Sequence, residues 1–324
     1  MNILVTGGAG FLGSHLVDAL LDRGHFVKVI DNLQTGSKKN LALAEEKHKD
    51  RLDFCKIDIS NQAKMDYVLD FFIKKDEKID VIFNFACPAS PKAYQENPIH
   101  TMLTCVVGTN YMLDLAKRHG AVFIHASTSE IYGDPEVHPQ HENYRGCVNT
   151  TGPRSCYDEG KRAAETLCFD YARTQGVRVK VARIFNTYGP RMSKDDGRVV
   201  SNFIVQALRG EAITIYGSGQ QTRSFCYVSD LIDGFLKLME TSDDFTGPVN
   251  LGNPNEFTIV NLMQKICNIV DENQQIAVFV ELPQDDPRQR QPDISLAKRV
   301  LDWEPKVELN EGLMRTIDYF RDEL

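Results

Sequence analysis

Residues Ile3–His15 read ILVTGGAGFLGSH, and this stretch decides the fold. Asn2 to Thr6 is a short apolar strand, and Leu12 to Arg23 carries the apolar spacing of a helix. Between them Gly8, Gly10 and Gly13 satisfy Gly-x-Gly-x-x-Gly, while Gly7, Gly10 and Gly13 satisfy Gly-x-x-Gly-x-x-Gly. Alone the pattern is weak. Between a strand and a helix it is a turn that lets the backbone approach a pyrophosphate at the helix N-terminus. Asp31 closes the next strand, 18 residues after Gly13. A carboxylate there holds a ribose 2′-hydroxyl and repels a 2′-phosphate, so NAD is expected rather than NADP. The expected cofactor contacts are Gly7, Gly10, Phe11, Leu12, Gly13, Asp31, Asn32, Thr35, Asp58, Ile59 and Ala126, joined by Tyr157 and Lys161.

Outward from this turn, strand-like runs recur at 26–30, 52–57, 81–85, 122–126 and 177–184, with helical stretches between them. The longest helical stretches run from about Pro98 to His119 and from Tyr157 to Thr174. Val-, Ile- and Phe-rich strands alternating with helices predict a doubly wound parallel α/β sheet of Rossmann type, covered on both faces. Past Tyr188-Gly189-Pro190-Arg191 the texture changes. GSGQ (217–220), LGNPNE (251–256) and PQDDPRQRQPD (283–293) interrupt short elements. This predicts a smaller C-terminal lobe at the carboxyl edge of the sheet, where ligands of such folds bind. The expected division is a cofactor domain over 1–189 and about 224–253, and a substrate lobe over 190–223 and 254–324.

Composition bounds the function class. Among 324 residues, 42% are hydrophobic and 25% charged, ordinary values for a globular protein. The net charge of −8 and the lack of a basic run argue against nucleic acid. No apolar stretch is long enough for a membrane span. Met1 leads almost directly into the first strand, so a signal peptide is not expected, and the eight cysteines read as reduced thiols of a cytoplasmic protein. None forms Cys-x-x-Cys, so no metal site is signalled.

Ser155–Glu165 reads SCYDEGKRAAE. Tyr157 and Lys161 are spaced i, i+4, which puts a phenol and an ammonium on one helical face. A free tyrosine, with a pKa near ~10, is too weak a base at neutral pH. A neighbouring ammonium and a cationic nicotinamide both favour its phenolate, which can take a proton from a sugar hydroxyl as hydride leaves the same carbon. Ala126-Ser127-Thr128-Ser129-Glu130 follows a predicted strand. Thr128 can bond the reacting hydroxyl, and Glu130 is a carboxylate placed for a second proton transfer. Tyr157, Lys161, Thr128 and Glu130 are therefore the catalytic candidates.

These motifs resemble the extended short-chain dehydrogenase/reductase (NAD-dependent epimerase/dehydratase) family, in its UDP-glucuronate decarboxylase branch. The likeness runs through VTGGAGFLGSHLVD, ACPASP, ASTSEIYGDPEVHPQ, GPRSCYDEGKRAAET, ARIFNTYGPRM, DGRVVSNFI, YGSGQQTRSFCYVSDL and DDPRQRQPDI. It implies decarboxylation of UDP-glucuronate to UDP-xylose through a 4-keto sugar, with NAD bound throughout. It also implies that Asn186, Asn202, Arg223 and Arg290 approach the nucleotide-sugar. Guanidinium forks suit its phosphates and carboxylate, so Arg191, Arg198 and Arg288 join them, with Tyr216 against the uracil. In relatives the two long helices form a homodimer interface about a two-fold axis. The chain departs from the family pattern at Asn84, at Cys87 where Ser is common, and at Cys105 where Asn is usual.

Two sister activities remain open. A dTDP-glucose 4,6-dehydratase usually pairs Asp with Glu after the Thr, whereas Ser129 precedes Glu130 in this chain. A nucleotide-sugar 4-epimerase usually lacks the Glu. A rival of another class is a non-catalytic NAD sensor or scaffold.

Overall fold

The computed structural model describes residues 1–73, 77–271, 276–282 and 289–324. Its centre is a seven-stranded sheet of β1 (Asn2–Thr6), β2 (Phe26–Asp31), β3 (Leu52–Lys56), β4 (Val81–Asn84), β5 (Val122–Thr128), β6 (Arg178–Ile184) and β7 (Val249–Leu251). The order is β7-β6-β5-β4-β1-β2-β3, and every neighbouring pair is parallel. The order reverses at β1, which puts a crevice at its carboxyl end.

The strands are continuously apolar because both faces are covered. Ile3, Val5, Val27, Val29, Val81 and Phe83 pack on one side, with Leu16, Val17 and Leu20 of helix α1 (Phe11–Asp22) and Phe235 of helix Val228–Glu240. Leu4, Ile30, Ile82 and Phe123 face the other way, against Met112 and Leu113 of helix Thr109–His119 and Cys168 of helix Ser155–Gln175. The alternation follows the two-residue period of a strand. Each fully buried aliphatic side chain contributes about 1.5–3 kcal/mol. The expected long helix over 98–119 is present, but a π-helical turn at Thr104–Gly108 joins Pro98–Leu103 to Thr109–His119.

Residues beyond 189 build smaller sheets. Glu256–Thr258, Thr222–Ser224 and Gln289–Arg290 form one, and Ile213–Tyr216 pairs with Ala277–Val280. The C-terminal residues Trp303, Leu313, Ile317 and Phe320 share one apolar core with β1 and α1.

A buried polar chain ties helix Ser155–Gln175 to the sheet. Ser127 on β5 donates to Glu165 Oε1 at 2.5 Å, and Arg183 on β6 clasps both Glu165 oxygens at 3.0 and 2.9 Å. Arg183 also donates to the Tyr132 hydroxyl, which donates to Asn250 on β7. Breaking such a pair leaves a charge stranded in the interior. Glu165→Ala should lower unfolding free energy by about 3–5 kcal/mol in urea titrations, and a change within experimental scatter would contradict this account.

Candidate active site

The glycine turn leaves no room for side chains. A Cβ on Gly13 would lie 2.1 Å from the Gly7 carbonyl oxygen, and one on Gly7, whose φ is +69°, would lie 2.8 Å from Ala86 N. Close approach of α1 to β1 therefore requires glycine. Gly10 caps α1 without a side-chain hydrogen bond, and no acidic residue occupies the first turn. The free N–H groups and the positive end of the helix dipole suit a pyrophosphate. Asp31 accepts hydrogen bonds from Ala9 N and Leu33 N, at 3.0 and 2.8 Å. Burial raises its pKa against those bonds. These residues fit NAD: a cradle closed to Cβ atoms, an open helix N-terminus and a carboxylate at the end of β2.

From this turn a cleft of about 1190 Å³ runs to the second lobe. Every candidate drawn from the sequence lines it except Arg288, which lies outside the described residues. The placements differ in kind. Asp58 accepts from Ser60 N and Oγ, His100 Nε2 and Asn32 Nδ2. Burial pulls its pKa up, but these bonds outweigh it and hold the carboxyl at about 2. It thus knots the loops around the cleft together. Arg191 is ion-paired with Asp18 at 2.6 Å, and Arg198 with Asp196 at 3.2 Å. Arg223 donates to the Thr222 carbonyl, Asn202 donates to the Gly197 carbonyl, and Tyr216 is exposed at the rim.

Tyr157 and Lys161 lie on one face of helix Ser155–Gln175, both buried. Lys161 Nζ donates to the Ala126 carbonyl at 2.8 Å and sits 5.9 Å from the Tyr157 ring centroid. Thr128 lies near enough to the Tyr157 phenol to lower its pKa. Burial nevertheless pushes its pKa well above the usual tyrosine value. The protein alone therefore holds a neutral phenol, and the charge that favours phenolate must be completed by what binds beside it. Tyr94, which the sequence did not single out, stacks on Tyr157 with centroids 5.0 Å apart and rings 4° from parallel.

Glu130 is clamped. Arg154 reaches its Oε2 at 2.7 Å and Arg290 its Oε1 at 3.2 Å. Arg290 also donates to Ser129 Oγ at 2.9 Å and to the Gly133 carbonyl at 3.0 Å. Burial raises the Glu130 pKa, but Arg290 and then Arg154 outweigh it and hold the group at about 2. At rest Glu130 is therefore favoured as the carboxylate, the form that accepts a proton. Arg154 was the missed partner; its signal was a position three residues before Tyr157. Asn84, one of the departures, has a clear structural task. It accepts from Thr6 Oγ1 and donates to Thr109 Oγ1, joining β1, β4 and helix Thr109–His119.

A scan of family models matches the NAD dependent epimerase/dehydratase family over residues 3–252. UDP-glucuronic acid decarboxylase 3 of Arabidopsis thaliana is 53% identical over 99% of this chain and 89% of its own length. UDP-glucuronic acid decarboxylase 1 of Xenopus tropicalis is 53% identical over 99% of this chain and 72% of its own length. Among solved structures, UDP-glucuronic acid 4-epimerase from Bacillus cereus, in complex with UDP-glucuronic acid and NAD, superposes with a TM-score of 0.87. It is 28% identical, and the match covers 100% of both chains.

Beside this cluster Asp158 is buried. Burial, and next the Glu130 charge, lift its pKa from an ordinary 3.8 to about 8. A raised folded-state pKa stabilises the protonated fold fully below the unfolded value, and that contribution fades as pH rises from about 4 to 8. Asp158→Asn should remove the fade. Thermal melts should show the variant gaining on the parent as pH rises from 5 to 9, and parallel curves would refute the assignment.

Proposed function

The chain belongs to the NAD dependent epimerase/dehydratase family, and we propose that within it this protein decarboxylates UDP-glucuronate to UDP-xylose and CO2, as a carboxy-lyase that recycles bound NAD. Sequence relatives named for that activity span nearly the whole chain. The observation that carries the reading is the Ser129–Glu130–Arg290 cluster, in the same cleft as Tyr157 and Lys161.

Gly7, Gly10, Phe11, Leu12, Gly13, Asp31, Asn32, Thr35, Asp58, Ile59 and Ala126 would hold NAD, which supplies the hydride acceptor and later the donor at C4 of the sugar. Tyr157 takes the C4 hydroxyl proton, helped by the Lys161 charge. Oxidation at C4 places a carbonyl β to the C6 carboxylate, so the electrons of the breaking C5–C6 bond flow into it. Tyr157 and Thr128 stabilise the resulting enolate by hydrogen bonds. Arg290 and the ionised Glu130 fix the charge pattern around the departing carboxylate. C5 then takes its proton from water or from an acid held near Glu130 and Arg290.

Asn186, Arg191, Arg198, Asn202, Tyr216, Arg223 and Arg290 are read as the nucleotide-sugar contacts, carried by a lobe over 190–223 and 254–324. The small Ser129 favours decarboxylation over 4,6-dehydration, since an Asp at this place would face Arg290 as a counter-ion and fill space beside C6. A homodimer through the 98–119 and 155–175 helices is supported by Ile99 and Leu103, apolar yet exposed. No described helix is long and apolar enough to cross a membrane. All eight cysteines are free, in keeping with a reducing, cytoplasmic setting.

Incubation with UDP-glucuronate and NAD should release CO2 and form UDP-xylose. Unchanged sugar with tight NAD binding would favour the sensor reading instead. Tyr157→Phe should cut turnover by at least about 100-fold while binding of both nucleotides stays within a few-fold, measured by product chromatography and calorimetry. Glu130→Gln should lower kcat far more than it raises KM; a pure KM effect would contradict its place beside the reacting carbons.

A further inference from the structure

Two cysteines meet beneath the cofactor cleft. Cys87 follows β4, lines the cleft and is partly exposed. Cys105 lies in the π-helical turn Thr104–Gly108 and is buried. Their Sγ atoms are 3.2 Å apart. Cys105 also touches the helix that carries Tyr157 and Lys161: a Cβ on Gly160 would lie 3.0 Å from Cys105 Cβ and 3.2 Å from its sulfur. The family resemblance puts Ser and Asn at these two places, so the decarboxylation chemistry uses neither thiol.

We propose that Cys87 and Cys105 form an oxidisable dithiol at the floor of the cofactor cleft, which a hydroperoxide converts to a disulfide when NAD does not cover it. A disulfide needs the sulfurs about 2.05 Å apart, so the pair must close by only about 1 Å. The adjoining π-turn is the kind of local irregularity that can shift without unfolding a helix. Electrostatics favour the pair. The hydrogen bond from Cys87 and the Lys161 charge lower the Cys105 pKa against burial, while burial raises that of Cys87. One thiol therefore keeps the proton and the other leans towards thiolate.

The chemistry balances without a further reagent. The ionised pair shares one proton, which passes to Cys105 along the Sγ–Sγ hydrogen bond, and the cleft-facing Cys87 sulfur then attacks the outer peroxide oxygen: an S–O bond forms, the O–O bond breaks, and the released hydroxide or alkoxide takes a solvent proton to leave as water or alcohol. Cys105 sulfur then attacks the Cys87 sulfenic acid: the S–S bond forms, the S–O bond breaks, and the hydroxide leaves as water with the Cys105 proton. Two thiols are oxidised and one peroxide is reduced. Closing the bond pulls on the contact at Gly160, next to Lys161, and so disturbs the Tyr157–Lys161 pair. The inference concerns the cofactor cleft and holds whichever nucleotide-sugar is turned over.

The test is peptide mapping of the full chain, stripped of nucleotide and treated with hydrogen peroxide with and without added NAD. Without NAD we expect a Cys87–Cys105 disulfide, a mass lower by two hydrogens, and a fall in turnover of at least about tenfold that dithiothreitol reverses. With saturating NAD, disulfide formation should slow by at least about tenfold. Exposed Cys147 should stay alkylatable in both arms, and in Cys105→Ser the disulfide should be absent. Full alkylation of Cys87 and Cys105 after peroxide, a disulfide through Cys156 instead, or equal rates with and without NAD would overturn the proposal. Mapping on the parent chain reads the covalent state directly, so the result stands even if the variant folds poorly or the protein turns over a different sugar.

Discussion

Glu130 held between Arg154 and Arg290 is the interaction on which the site depends. The three residues come from separate parts of the chain. Glu130 follows β5, Arg154 precedes the helix that carries Tyr157, and Arg290 ends a strand of the second lobe. A carboxylate at this depth is tolerable only with charge-assisted hydrogen bonds on its oxygens. The cluster thereby does two tasks at once. It fastens the lobe to the sheet, and it sets a fixed pattern of positive and negative charge beside Tyr157. Arg290 pays for its own burial through Ser129, Glu130 and the Gly133 carbonyl together.

Around that cluster the protonation states divide. Glu130 is driven to its anion by two guanidiniums, while at Asp158 burial and the Glu130 charge outweigh Arg154 and Arg290 and favour the neutral form. Tyr157 is likewise kept neutral by burial. The site so combines a resting carboxylate with a phenol that ionises only when further positive charge arrives beside it. Environment, not residue type, decides each case.

Most of the fold could be read in the chain because its signals are local. The glycine turn, Asp31 and the apolar strands each announce themselves within a few residues, and the parallel sheet follows from their alternation. The Tyr157–Lys161 spacing and the Thr128–Glu130 segment were legible for the same reason. What escaped was tertiary. No pattern marks Tyr94 as a neighbour of Tyr157, because their stacking depends on how helix Pro91–Glu96 meets helix Ser155–Gln175. Arg191 reads as an anion anchor, but its partner Asp18 lies 173 positions away on α1. Glu130 reads as an acid or base, and nothing local marks Arg154 and Arg290 as its partners. The continuity of the core through Trp303 and Phe320 was hidden too, since a change of local texture at 190 says nothing about which apolar faces later meet.

The Ser127–Glu165–Arg183 chain has a mechanical corollary. Helix Ser155–Gln175 is pinned to β5 and β6 midway along its length by a buried ion pair. Sliding that helix by even one residue would tear a carboxylate from its guanidinium. The wall bearing the phenol is thus a fixed anvil. Any closure over a ligand has to be executed by the opposite wall, around Arg198, Asn202 and Tyr216, and adaptation to new ligands would accumulate there first.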